Sequence, residues 1–212
     1  MRNRFSTFNS DQHYWVRQWH GALRRHEDKS ASLAKELRRL DLGDRARLRR
    51  AGNGLDLVGE PAVHLLVSGL IERRQDRRSP RDSETDYYRL ALVAGVIVEV
   101  NDDLHSPATL GRRLGTPEGG ARVMSELRFR RLQATTEPEE LLRLWRRAVA
   151  LAGRKTDVAT LADDLYTWLD EVDHPKPNPA GTVRFHWAYD YYQQPRDKAS
   201  RGESTPEAEI VA

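Results

Sequence analysis

The stretch Thr136–Gly153, TEPEELLRLWRRAVALAG, decides the fold class. Thr136 is placed to cap a helix, with Glu139 three residues on returning the bond. Leu141, Trp145, Ala148 and Ala152 recur at helical spacing and form one apolar stripe. Arg143, Arg146 and Arg147 fall on the opposite side, where their guanidinium groups share one surface. Gly153 suits a left-handed stop. One side of this helix fits a core and the other fits an anion, and the rest of the chain repeats that design.

Moving towards the N-terminus, the same pattern returns. From Asp11 a helix carries Trp15, Trp19, Ala22 and Leu23 on one side and ends in Arg24 and Arg25, where cations meet the negative helix end. Leu33, Leu37 and Leu40 make a second short stripe beside Arg38 and Arg39. Asp44 is read as the cap of DRARLRRAG, whose only large apolar residue is Leu48, and Arg45 and Arg49 stand one turn apart there. Glu60-Pro61 opens a helix buried through Val63, Leu66, Val67 and Leu70. Residues 74–86 read as an exposed loop. YYRLALVAGVIVEV is apolar on nearly every side, and periodicity alone leaves helix and buried strand open. The rest of the chain offers no second strand to pair with it, so a central helix is expected.

Towards the C-terminus, residues 106–132 read as helix, turn, helix. Thr116 caps the second helix and Pro117 sits at its first position. Asp157 caps a stripe of Val158, Leu161, Leu165, Trp168 and Val172. HPKPNPAG breaks the pattern, and Phe185, Trp187, Tyr191 and Tyr192 are expected to close the core. The chain is thus expected to be all-α, a two-part helical bundle with no sheet. Its parts are a flexible N-terminus (1–10), a helical half 11–105 with the exposed loop 74–86, a second half 106–194, and a disordered tail 195–212.

Composition narrows function. Cysteine is absent, which removes disulfides and thiolate metal sites. The N-terminus lacks a signal-like apolar core, and no apolar run approaches the roughly 20 residues that span a bilayer. A cytoplasmic protein without cofactor is expected. Seven scattered histidines make no helix-borne zinc pair, and no phosphate loop ends in Gly-Lys-Ser/Thr. Asp163 and Asp164 point about 100° apart on a helix, so they read as a solvated acidic surface and not as an ion site.

Charge layout says more than the net +3. Residues 17–50 and 108–155 each hold eleven Lys/Arg against five Asp/Glu, while the segments between and after are acidic. Arginine supplies 30 of the 35 basic residues, favouring forked contacts to phosphate. A single arginine is best explained by a nearby carboxylate. Two surpluses that local acids leave uncancelled point instead to nucleic-acid backbone, bound without reading sequence. The alternative is a helix-turn-helix regulator built on ATLGRRLGTPEGGARVMSELRFRRL. Against it, Glu118, Gly119 and Gly120 occupy the positions that should read bases.

The order of pieces carries a family resemblance. A tryptophan helix ending in LRR precedes GDRARLRRAG; TLGRRLG, SELRFRRLQA, ELLRLWRRAVALAG, DVATLADDLYTWLD and a late HWAYDYY follow. Together they resemble CasB, the small subunit of the type I-E CRISPR Cascade surveillance complex, over most of residues 11–193. The resemblance implies a non-catalytic, all-α protein that sits as a pair against the Cascade backbone and large subunits. Its implied partners are the CRISPR RNA, the target DNA and a second copy of itself, with no membrane or small-molecule substrate. The family's basic surface would help hold the R-loop, including the displaced strand, while guide pairing chooses sequence. It maps onto Arg50, Arg112, Arg128, Arg131, Arg146 and Arg147; Arg45 and Arg49 are added on helical geometry alone. Removing charge at Arg146 and Arg147 together is then expected to flatten the salt dependence of binding by about two.

Overall fold

The computed structural model describes residues 6–24, 34–75, 79–106 and 108–199, with side chains as far as Gln193. Ten α-helices lie among them: α1 (Ser10–Ala22), α2 (Leu42–Arg50), α3 (Gly54–Val58), α4 (Pro61–Glu72), α5 (Glu84–Ile97), α6 (Leu110–Gly115), α7 (Glu126–Ala134), α8 (Pro138–Leu151), α9 (Val158–Asp173) and α10 (Val183–Ala199). The expected absence of strands is corrected by two minimal pairings. β1 (Asp102–Asp103) runs parallel to β4 (Lys155–Thr156), and β2 (Pro117–Glu118) pairs antiparallel with β3 (Ala121–Arg122). Each strand is two residues long, so the protein is helical in substance.

The β-branched run of the apolar segment is helical, as expected. Ser83 caps α5, its hydroxyl accepting from the Asp86 N–H, and every residue from Arg89 to Val100 is buried. A strand buried on both faces needs neighbours to pair its backbone; a helix satisfies its own. Around α5 pack α3, α4, α8 and α9. Buried side chains from both sides of the expected 105/106 division join in one core.

Five tryptophans organise that core. In α1, Trp15 and Trp19 donate their indole N–H groups to the Leu66 and Ala62 carbonyls of α4, at 3.1 and 2.7 Å. Gly69 makes room, since a Cβ there would lie 2.0 Å from the Trp15 ring. Trp145, Trp168 and Trp187 form an edge-to-face row at 5.7 and 5.2 Å that ties α8, α9 and α10 together.

Several local expectations are corrected. The cap of α8 is Glu137, with Pro138 at the first position, and no side chain from Thr136 caps it. Asp41 caps α2, and Asp44 is the returning partner in that capping box. Leu33 lies outside the described residues, as do the first five residues, the centre of the 74–86 loop and residues 200–212 of the tail expected from 195, while its residues 195–199 continue α10. Ser6–Asn9 are held in place.

Asn9 donates to the Arg73 carbonyl, and Ser6, Thr7 and Phe8 are held by Asp163, a residue expected on a solvated surface. It is 5% exposed. Its carboxylate accepts from the Ser6 hydroxyl at 2.5 Å and from the Thr7 and Phe8 N–H groups, with His13 Nε2 at 3.0 Å. Asp164, also buried, turns to α10 and accepts the Trp187 indole N–H at 2.7 Å. Burial holds the Asp164 carboxyl well above the usual carboxylate range, against the pull of that N–H. The 100° separation is real; each direction ends in protein.

One buried histidine sets an acid limit. His20 lies 3.0 Å from the Val100 carbonyl through Nε2, and burial lowers its pKa to about 4. The unfolded chain, with an ordinary histidine near 6.5, binds the extra proton first between these values, so stability falls as pH falls through that window. The loss is on the order of 3 kcal/mol between pH 6.5 and 4. We expect His20→Gln to flatten the unfolding free energy measured by urea titration across this window; an unchanged slope would contradict it.

Candidate nucleic-acid interface

Arginines in this fold divide by what their guanidinium groups meet. The first group is occupied by the ends of helices. The last carbonyls of a helix lack intrahelical donors and carry its negative pole, so a buried end needs cations or N–H groups. At the end of α5, Arg146 Nε donates to the Gly95 carbonyl at 2.8 Å. The same side chain reaches the end of α2, donating to the Ala51 and Leu48 carbonyls at 2.7 and 2.9 Å. Arg45 covers the Val98 and Val100 carbonyls and the Asn101 side chain, and Arg113 donates to the Ala152 carbonyl that ends α8. Burial lowers the pKa of both Arg146 and Arg45. Arg146 therefore departs from the exposed ridge expected of it: its donors are aimed inward.

A second group is paired at the surface. Arg49 lies 3.1 Å from Glu99, which Arg154 also bridges, and Arg131 meets Glu140 at 2.6 Å. Glu99 is buried, whereas the Arg131–Glu140 pair is exposed; a pair of the latter kind contributes roughly 0–1 kcal/mol, so a phosphate can replace the Glu140 carboxylate at little cost. The third group is exposed and has no side-chain hydrogen bond or ion pair among the described residues. Within the two basic blocks it includes Arg50, Arg112, Arg128, Arg143 and Arg147; Arg24, Arg38, Arg39 and Arg81 share this state.

Geometry brings the two basic blocks together. Glu99, at the end of α5, is faced by Arg49 from the first block and Arg154 from the second through direct contact. Arg24, Arg45 and Arg146 lie within electrostatic range of the same cluster. One carboxylate of 8% exposure cannot cancel them, and a local surplus of positive charge results. α8 is the hub: Arg146 fastens it to α2, Glu140 to α7 through Arg131, and Ala152 to α6 through Arg113.

Arg112 owes its exposure to glycine. Gly111 and Gly115, one turn apart in TLGRRLG, press on the α10 backbone, where a Cβ would fall 2.8 Å from Trp187 and 2.2 Å from Tyr191 backbone atoms. Thr109, the α6 cap, also bonds Asp190 of α10 at 2.6 Å. With that face committed, Arg112 is left outside.

The second helix expected from Thr116 begins only at Glu126. Thr116 ends α6, Pro117 opens β2, and Gly119 and Gly120, at φ 59° and 87°, turn the hairpin into β3. Residues that a helix-turn-helix would lay in a major groove form a hairpin tip here, which removes the structural basis of the regulator reading. Among the described residues no group of side chains could hold a metal ion, and no helix is long and apolar enough to cross a membrane.

The described residues thus form a helical protein in which arginines from two distant stretches, Arg49 and Arg154, meet at the end of one helix. A family model described as CRISPR-associated protein Cse2 matches residues 44–192, and the chain belongs to that family, the CasB small subunits of type I-E CRISPR Cascade. Comparison with curated proteins and with solved structures found no match.

Proposed function

We propose that this chain serves Cascade as a non-catalytic clamp on nucleic-acid backbone, stabilising target or displaced DNA beside the CRISPR RNA. The observation that supports this reading is the surplus of guanidinium charge around Glu99, together with exposed arginines elsewhere on the surface that have no side-chain partner among the described residues. Arg50, Arg112, Arg128 and Arg147 contact phosphate directly. Arg131 exchanges its surface carboxylate for phosphate when a strand arrives, and Arg49 meets phosphate from beside the buried Glu99. Arg45 and Arg146 act one step back, fixing the helix ends on which the others stand. Backbone contact without base reading suits a subunit whose complex takes its sequence choice from guide pairing. Contact with the backbone and large subunits and with a second copy of the chain completes the proposal.

Counterion release provides the test. Each phosphate left without its arginine lowers the slope of log K against log salt by about 0.7 for a single strand. Arg50→Gln combined with Arg147→Gln is expected to lower it by about 1.4, read by fluorescence anisotropy on a labelled strand, with the melting temperature unchanged. An unaltered slope would remove these residues from the interface.

A further inference from the structure

Phe185 and Tyr192, expected in the core, are exposed, and Tyr189 joins them. With Ala188 they occupy positions i, i+3, i+4 and i+7 of α10, one face of a helix whose opposite face holds Trp187 and Tyr191 fully buried. Three large rings in water, 43%, 53% and 39% exposed, line a shallow groove of about 340 Å³ with Ala188 and Gln193. The Phe185 and Tyr189 rings are nearly parallel, 23° apart, with centroids separated by 6.4 Å. These near-parallel rings, one helical turn apart, offer flat apolar area on which bases can stack.

Charge around the strip favours the same occupant. The Arg122 guanidinium lies over Tyr191 and Tyr192, at 4.8 and 5.3 Å from the ring centroids. Arg130 is paired with Glu126 at 2.5 Å, and Arg128, without a side-chain partner among the described residues, stands on the same helix α7. That helix is joined to α10 by the Phe129–Tyr191 stack at 3.9 Å. Rings for bases beside arginines for phosphates is the arrangement that holds single strands regardless of sequence. A protein partner would need an acidic rim to match these cations.

We propose that this face of α10 is a stacking platform for the unpaired bases of a single nucleic-acid strand, with bases lying on Phe185 and Tyr189. The inference rests on the backbone-binding reading and adds base contact to it. Anisotropy of the full chain with a labelled thymidine oligomer and an abasic oligomer of equal length separates the two. The wild type is expected to bind the base-bearing strand about tenfold more tightly. Phe185→Leu with Tyr189→Leu is expected to erase that preference while leaving abasic binding as it was. Equal affinity of the wild type for both oligomers would overturn the platform, as would a preference that survives in the variant. A variant altered only in self-association by sedimentation would assign the face to protein contact and overturn it too. Abasic binding that ignores salt would instead sink the arginine reading. Photocrosslinking of 5-iododeoxyuridine to wild-type chain, expected at Phe185 or Tyr189, tests the site without any variant, and labelling elsewhere would count against it.

Discussion

Arg146→Met is expected to lower the melting temperature by about 10 °C, while Arg147→Met, its neighbour in sequence, leaves it within about 2 °C. Methionine replaces the aliphatic stem of Arg146 and none of its donors. Three carbonyls, from Gly95, Ala51 and Leu48, then lose their partners at two helix ends. An acceptor stranded by loss of its donor costs about 1–3 kcal/mol, and the site is partly reached by water, so about 3–4 kcal/mol is the expected total. For a domain of this size each kcal/mol moves the midpoint by about 2–4 °C. Arg146→Lys, with one flexible ammonium in place of a rigid fork, is expected to fall between the two. Gly95 belongs to the same device, since a Cβ there would meet Leu57 at 2.5 Å and Arg146 at 3.2 Å. Differential scanning calorimetry checks the series. Equal midpoints for the methionine variants at 146 and 147 would show that the carbonyl hydrogen bonds contribute nothing. The charge experiment first suggested by sequence, removal at 146 and 147 together, confounds unfolding with weakened binding, and position 50 is the better companion for 147.

The second large effect concerns the joint between α6 and α10. Gly115→Ala places a methyl 2.2 Å from the Tyr191 carbonyl oxygen and 2.7 Å from its Cα. These are backbone atoms and cannot rotate aside, so α10 has to lift. With it go the Phe129–Tyr191 stack and the 2.7 Å bond from the Tyr191 hydroxyl to the Met124 carbonyl. Overpacking of this kind costs about 1–3 kcal/mol, and breaking that stack and that bond places this case at the upper end. Hydrogen exchange is expected to quicken in residues 183–193 more than in α5. Gly21→Ala is the control, because nothing lies within 4 Å of a Cβ there and a helical alanine is preferred to glycine by about 1 kcal/mol. Similar exchange in both variants would mean that the two helices do not depend on this glycine contact.

Sequence patterning decided the helical class through local rules. An apolar stripe at helical spacing in Leu141, Trp145 and Ala148 is buried as expected, and so is the β-branched end of α5, for want of strands to pair with it. The order of short basic helices was also enough for the family, because those helices recur in a fixed sequence along the chain. Caps were less legible. Asp41 and Asp44 both have the chemistry of a cap, and only the path of the backbone into α2 selects between them. The two glycines after Thr116 were visible, yet a hairpin and a loose helix start differ there by a φ sign that the residue names do not state.

Site residues show the same boundary more sharply. A guanidinium is attracted alike to a phosphate and to the carbonyl end of a helix, since both present negative oxygens at fork spacing. Arg146 and Arg147 are therefore alike in sequence, and the roughly 100° between neighbouring helix positions sends the first to Gly95, Ala51 and Leu48 and leaves the second in solvent. Phe185 and Trp187 were equally fit for the core, and the side of α10 that meets the α6 glycines took Trp187 alone. Composition and period thus determined that this protein is helical and basic in two blocks, while the order of its short motifs carried the resemblance that the Cse2 family match bears out. Tertiary structure decided which arginines are spent on helix ends and which face outward, because that choice depends on where other helices stop.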